Sequence, residues 1–413
     1  MVNGYFISAL VGVLVFEAID FVAILLNLRA LDPDLPSEFA DVYDAETYRR
    51  TQDYTRAGTR LGIISSVFDL AVLLAFWLAG GFGWLDGVVR SLNTSPIWEG
   101  LLFLAILAVA RGILDLPFGI YDTFVLEQRF GFNRTTPATF VLDLLKGALV
   151  GAVIGVPLLI AFLALFQYAG WPAWIYAWIA AVAFSFLMQF LAPRVIMPLF
   201  NKFTPLEEGE LKEAILAYAR SVDFPVKQLY SIDASRRSSK GNAFFTGFGR
   251  NKRIALFDTI IKQQTVPELV AVLAHEIGHY KKRHVLTGTI FSALETGLFL
   301  GLFELFTQQQ GLFTAFRVDK TSYYAGIIFV SVLMRPLQYV LSIAGAALSR
   351  RHERQSDRFA ASTTGRGDDL ATALKRLSKD NLGNLTPHPF YVFLNYSHPP
   401  TLERVRALSA AEE

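Results

Sequence analysis

Apolar residues run through this chain in long blocks, separated by polar stretches, and not in the short alternations of a soluble core. The first block begins at once, "MVNGYFISALVGVLVFEAIDFVAILLNLRAL", and others follow near Leu61–Leu85, Leu101–Tyr121, Gly147–Tyr168, Trp171–Leu191, Val285–Phe306 and Ser322–Leu348. A helix needs about 20 mostly apolar residues to cross a bilayer, so the pattern predicts seven spans. No charged residue occurs from Gly147 through Pro193, and "YAGWPAW" supplies a Gly/Pro turn within that stretch. The fourth and fifth spans are therefore expected to form a helical hairpin. The first block lacks the basic n-region and small-residue cleavage site of a signal peptide and reads as a retained span.

The polar stretches carry different periodicities. An amphipathic helix is expected near Glu207–Val222, after "PRVIMPLFNKFTPL", and β-branched and aromatic residues on either side of "GRNK" predict a hairpin. Thr265, followed three residues later by Glu268, makes a capping box, and Pro267 is tolerated in a first helical turn, so "VPELVAVLAHEIGHYKKRHV" opens as a helix. The expected division is residues 1–193 for spans one to five, 194–284 for a first polar segment, 285–349 for spans six and seven, and 350–413 for a C-terminal polar segment.

Composition agrees with the blocks: of 413 residues, 53% are hydrophobic and 18% charged, too apolar and charge-poor for an ordinary soluble chain. A formal net charge of +2 offers no polybasic footprint for nucleic acid. The absence of cysteine excludes thiolate ligands, cysteine nucleophiles and disulfides. Lys and Arg instead orient the spans. The connections Arg29–Arg60, Asp86–Gly100 and Asp122–Lys146 hold five, one and three, the hairpin turn none, Arg194–Arg283 holds 15 and Thr307–Thr321 two. The odd-numbered connections are the basic ones, which predicts an outward N-terminus, with both polar segments in the cytoplasm. Several spans also carry charges at depth: Glu17, Asp20, Asp69, Arg111, Asp115, Glu295, Glu304 and Arg335. Such residues are either paired within the bundle or face a water-filled cavity.

His275-Glu276-Ile277-Gly278-His279 is an H-E-x-x-H pattern on the capped helix. Residues four apart share a helix face, so the two imidazoles can meet one zinc ion, while Glu276 sits beside it as a general base for a bound water. A catalytic zinc site normally takes a third protein ligand. Glu353 in "RRHERQSDRFAAS" is the best candidate, because Asp357 one turn later can hydrogen-bond a ligating imidazole and fix its tautomer; His352 is the neighbouring alternative.

Taken with these residues, the chain resembles the type I CAAX prenyl endopeptidases, membrane-integrated gluzincin metalloproteases. The stretches "LEQRFGFNRTTPATF", "RVIMPLFNKFTPL", "SSKGNAFFTGFG", "ELVAVLAHEIGHYKKRH", "RRHERQSDRFA" and "NYSHPPTLERVRAL" occur in that family's order. The resemblance implies a mostly α, multi-pass fold. Seven long helices would enclose an intramembrane chamber, closed on its cytoplasmic side by a zinc protease domain with a small β-sheet. It implies one zinc ion on His275, His279 and Glu353, Glu276 as base, His398 stabilising the tetrahedral intermediate, and an edge strand at Asn242-Ala243-Phe244 that pairs with substrate. Arg404 is expected to be structural. Two departures stand out. Ser239-Lys240-Gly241 replaces a family context "S-x-H-S-N-A-Y", which bears on subsite preference, and "ERQSD" replaces an aromatic followed by "Q-A-D". The expected partners are the bilayer and a peptide or prenylated peptide. The alternatives are a membrane-protein quality-control protease and a transporter with a regulatory zinc domain. The tail "ALSAAEE" carries no ER-retention signal, which favours a prokaryotic cell membrane over the ER membrane of a eukaryote.

Overall fold

The structure, a computed structural model, describes residues 2–246 and 252–410. Among the described residues, six helices are long and apolar enough to cross a membrane: Gly4–Arg29, Ala45–Leu78, Pro96–Glu127, Pro137–Tyr168, Ala173–Phe200 and His284–Thr307. A bent pair, Tyr323–Leu333 and Arg335–Thr364, is apolar enough when taken together, which makes seven if it is one span. The first begins where Asn3 accepts a hydrogen bond from the Phe6 amide, and the second where Asp44 accepts from Thr47, each side chain capping an otherwise unpaired donor.

Two expected spans are corrected. The second does not continue to Leu85. It stops at Leu78, because Gly80 adopts φ +85°, a left-handed conformation suited to glycine, and a separate helix, Gly81–Ser91, follows. The apolar run "LAGGFGWL" hides this break, since hydropathy does not register a turn. The seventh, Ser322–Leu348, is not one straight helix: its two parts meet at an angle of 62° around Met334. Pro336 lacks an amide proton, and its ring excludes the carbonyl a continuous helix would place there. The second part then runs out of the apolar block to Thr364, carrying Glu353 and Asp357 on the same rigid rod.

Two large cores hold the described residues together, with a small third cluster at Phe130, Phe132 and Leu382. At the end of the spans far from the histidines, Trp77 stacks on Phe316 (centroids 4.5 Å apart) and Phe316 on Phe329 (4.1 Å), while Trp77 Nε1 donates to the Ala315 carbonyl. The second core lies under the polar segment and includes Ile215, Leu256, Ile260, Leu269, Leu273, Ile277 and Leu370. Between them the spans pack sparsely; only 6% of the most apolar stretch of Ala45–Leu78 or Pro96–Glu127 is buried. Arg111, midway along its span, binds Asp69 and Asp115 at 2.8 Å each, yet its side chain is 52% exposed. Arg335 pairs with Glu17, and the Tyr339 hydroxyl donates to Asp20 at 2.8 Å. Of the charges expected at depth, Glu17, Asp20, Asp69, Arg111, Asp115 and Arg335 are thus paired with one another or with a tyrosine hydroxyl, the arrangement that makes such groups tolerable within a bundle. Glu304 differs: it is buried and bonded to Gln308 near the far end.

A four-stranded sheet, of order β1-β2-β4-β3, lies in the polar segment: β1 Phe203–Pro205, β2 Val226–Ile232, β3 Ala243–Thr246 and β4 Lys252–Phe257. β2 and β4 are parallel, and β3 and β4 form the expected antiparallel hairpin, with Ala243 opposite Leu256 and Phe244 opposite Ala255. Of its "GRNK" turn, Gly249 to Asn251 lie outside the described residues, as do the last three residues of the tail. β3 ends the sheet, and the amphipathic helix is present as Glu210–Ser221.

Candidate metal centre

The H-E-x-x-H helix runs from Val266 to Lys281 and opens with the Thr265/Glu268 capping box. Glu268 also binds Arg376 at 3.1 Å, tying the helix start to Gly367–Asp380. Leu269, Leu273 and Ile277, four apart, bury one stripe in the core. Gly278 lets the helix Arg335–Thr364 cross closely. A Cβ there would lie 3.1 Å from the Ser356 Cα and 3.2 Å from the Phe359 ring, tighter than ordinary van der Waals contact. This crossing sets Glu353 against the two histidines.

His275 Nε2 and His279 Nε2 are 3.1 Å apart, His275 Nε2 is 3.3 Å from Glu353 Oε2, and His279 Nε2 is 3.2 Å from Glu353 Oε1. Tetrahedral ligands about 2.05 Å from an ion would be separated by roughly 3.3 Å. The donor set fits a cation on a second ground. Glu353 Oε2 is buried and accepts no close hydrogen bond, with Arg404 Nη1 3.6 Å away, and a cation in the cluster would satisfy it more fully. Among the described residues, these three form the one group of His and carboxylate side chains close enough to hold a metal.

The first candidate ligand, His275, is itself held in place. His275 Nδ1 is 2.8 Å from Asp357 Oδ1. Burial alone would depress this imidazole, but hydrogen bonds to Asp357 and Glu353 outweigh it and raise its pKa to about 9. A basic imidazole is a strong ligand once its Nε2 proton is displaced. Asp357 receives two further bonds from Arg404, Nη2 to Oδ1 at 2.6 Å and Nε to Oδ2 at 2.8 Å. Arg404 thus anchors Asp357, and it also reaches the cluster directly, with Nη1 3.6 Å from Glu353 Oε2 and Nη2 3.4 Å from His275 Nδ1.

A cavity of about 510 Å³ opens over the cluster, lined in part by Asn242, Glu276, His284, Leu374, His398 and Arg404. Burial pushes the Glu276 carboxyl up, against the nearby imidazoles that lower it. His398 stands at the mouth, its side chain 62% exposed and its Nε2 3.3 Å from Glu353 Oε1. Asn242 lies just before β3, and Ala243 and Phe244 begin that strand. The geometry therefore brings His275, Glu276, His279, Glu353, Asp357, His398 and Asn242 to one place. His352 is not among the clustered ligands: its ring stacks on His284, and its Nε2 meets Thr287 Oγ1 at 3.1 Å. Lys240, one of the departures from the family context, reaches Glu127 at 3.0 Å and the Tyr54 hydroxyl at 2.7 Å. It braces the sheet segment against the spans.

Sequence reasoning missed His284 and Gln355. Five residues past His279, His284 falls off the ligating face of a continuous helix. The structure breaks that helix at Arg283, which adopts φ +59°, and His284 starts the next one. No local signal marks such a break.

Residues 25–202 match the family model for the CAAX prenyl protease N-terminal region with five membrane helices, and residues 205–412 match that of peptidase family M48. The probable CAAX prenyl protease 1 of Schizosaccharomyces pombe is 37% identical over 393 residues, covering 90% of this chain and 81% of its own. The CAAX prenyl protease 1 homolog of Arabidopsis thaliana is 35% identical and covers 94% of both chains. Among solved structures, the crystal structure of S. mikatae Ste24p superposes with a TM-score of 0.92 at 33% identity, over 99% of each chain. The chain therefore belongs to the CAAX prenyl protease 1 family of M48 peptidases, and is a multi-pass membrane metalloendopeptidase.

Proposed function

We propose that the metal is zinc, held by His275, His279 and Glu353, and that the enzyme cleaves near the C-terminus of prenylated or strongly apolar peptides. The observation that carries this reading is a His, His, Glu cluster roofed by a cavity of about 510 Å³. Two imidazoles and a glutamate are a donor set that suits catalytic zinc, which when bound supplies Lewis acidity toward water and a peptide carbonyl. Glu276 takes the proton of the attacking water and delivers it to the departing amine. His398 donates to the oxygen that becomes negative at the tetrahedral stage. Asn242, Ala243 and Phe244, at the sheet's edge, pair with the extended substrate backbone and so accept varied side chains. His398→Ala should keep the metal and lower kcat and kcat/KM together; a change confined to KM would reassign it to substrate positioning.

A soluble enzyme could perform this chemistry without seven spans. The chamber implied by the family resemblance is what they would add, and a lipid chain inside it gains about 0.8 kcal/mol per buried CH₂ relative to water. In a prokaryotic membrane without protein prenylation, the native substrate would be an unlipidated apolar peptide. The deciding assay compares prenylated and unprenylated forms of one peptide, and higher kcat/KM is expected for the lipidated form. Equal values would remove lipid recognition and leave the peptidase reading intact. Cleavage of neither form, with metal bound, would overturn the substrate class. The quality-control and transporter alternatives have no comparable support, since the peptidase model spans the polar segments and the close relatives carry protease names.

The basic odd-numbered connections orient the site toward the cytoplasm with the N-terminus outside. Since the chain has no cysteine, Val2→Cys offers one label site. Reaction with an impermeant thiol reagent is expected from outside; labelling only from the cytoplasmic face would reverse the orientation.

A further inference from the structure

The second histidine of the cluster has a partner that the catalytic reading leaves unused. His279 turns Nε2 toward His275 and Glu353, and its other ring nitrogen, Nδ1, lies 3.1 Å from Nδ1 of His284. His284 Nε2 is in turn 2.8 Å from Gln355 Oε1. The His284 ring is buried and stacked on His352, with centroids 4.1 Å apart and planes 10° from parallel. Its plane and its rotation are therefore both set.

Two imidazole nitrogens in contact share one proton, and Ser356 Oγ stands farther from His284 Nδ1, at 3.4 Å, so the His279–His284 contact runs in one of two senses. In the first, His284 Nε2–H donates to Gln355 Oε1, which leaves a lone pair on His284 Nδ1. That lone pair accepts from His279 Nδ1–H, and His279 Nε2 is bare toward the cluster. In the second, the Gln355 amide is turned so that its NH₂ donates to His284 Nε2. His284 Nδ1–H then donates to His279 Nδ1, and the His279 proton sits on Nε2, where it blocks a cation. Ligation through His279 Nε2 requires the first sense, the one in which Gln355 presents its oxygen.

We propose that Gln355 and His284 form a relay that sets the tautomer of His279, the counterpart of the Asp357 contact on His275. His284 is a positioning residue, since it touches a ligand and not the reacting atoms. The relay is neutral where the Asp357 partner is anionic, so it orients the second ligand without adding negative charge to the site. This inference rests on the reading that His275, His279 and Glu353 hold the metal.

The test uses the full-length, metal-free chain titrated with Co²⁺ alone, read by its visible absorption and by competition with a chelator. Gln355→Leu removes the acceptor and leaves the His284 ring in place, and His284→Phe keeps a stacked ring without nitrogens. Both should bind Co²⁺ about 10- to 100-fold more weakly, the usual scale for losing a partner of a ligand, with an altered spectrum. Gln355→Glu, whose carboxylate only accepts, should retain both affinity and spectrum, which a packing defect would not allow. Unchanged affinity and spectrum in Gln355→Leu and His284→Phe would overturn the relay, as would a Gln355→Glu variant as weak as Gln355→Leu. No Co²⁺ uptake by the unaltered chain would instead overturn the metal-site reading beneath it.

Discussion

Replacing Glu276 by Gln is expected to leave metal content unchanged while peptide cleavage falls about 10²- to 10⁴-fold, the usual contribution of a positioned general base. The change preserves the size of the side chain and removes only its ability to accept a proton. Glu276 lines the cavity beside His275 and His279 without belonging to the ligand cluster, so the metal should not sense the substitution directly. Metal analysis and peptide cleavage on one preparation decide the matter. Near-normal turnover would remove Glu276 as the base, and loss of metal would show that it supports the ligands.

Asp357→Ala is expected to act on two properties at once. The His275 ring loses the acceptor that fixes its tautomer, so metal affinity should drop about 10- to 100-fold. Arg404, with only 10% of its side chain exposed, loses both hydrogen bonds to a carboxylate that is itself 8% exposed. Glu353 Oε2, 3.6 Å from Arg404 Nη1, remains as a carboxylate partner, so the loss of stability should fall below about 3–5 kcal/mol, the cost of a fully stranded buried charge. Denaturant unfolding of the metal-free protein reads the second effect, and chelator competition the first. Adding Arg404→Leu to Asp357→Ala should recover much of the stability and none of the metal affinity. An unchanged unfolding midpoint in Asp357→Ala would mean that Asp357 does not hold Arg404 in place.

Both expectations began with residues recognisable in the sequence, but the structure altered what they mean. Asp357 was legible as a partner for an imidazole because it stands one turn past Glu353. That Arg404 also depends on it was not legible, because the two are 47 positions apart. Likewise, the apolar blocks located the spans, yet the stop at Gly80 and the bend before Pro336 lay inside blocks whose hydropathy continues through them. The choice between Glu353 and His352 was left open by spacing alone. The helix crossing at Gly278 brings Glu353 to the cluster, while His352 stacks on His284.

What the sequence determined by itself is everything set by neighbours within a few residues. A run of apolar side chains long enough to cross a bilayer, Thr265 and Glu268 closing a helix start, and two histidines sharing one helical face are all local matters. Tertiary structure decided the rest, because a metal site is a convergence of distant groups. His275 and Asp357 are 82 positions apart, and the carboxylate that completes the cluster comes from a different helix. The same holds for His284, which meets His279 only because Arg283 takes a left-handed turn and the next helix starts there. Hydrogen-bond geometry has a reach of about 3 Å, whereas sequence periodicity constrains direction along one element. The crossing angle and close approach of two elements, set here by a glycine and the side chains around it, lie outside what either periodicity can specify.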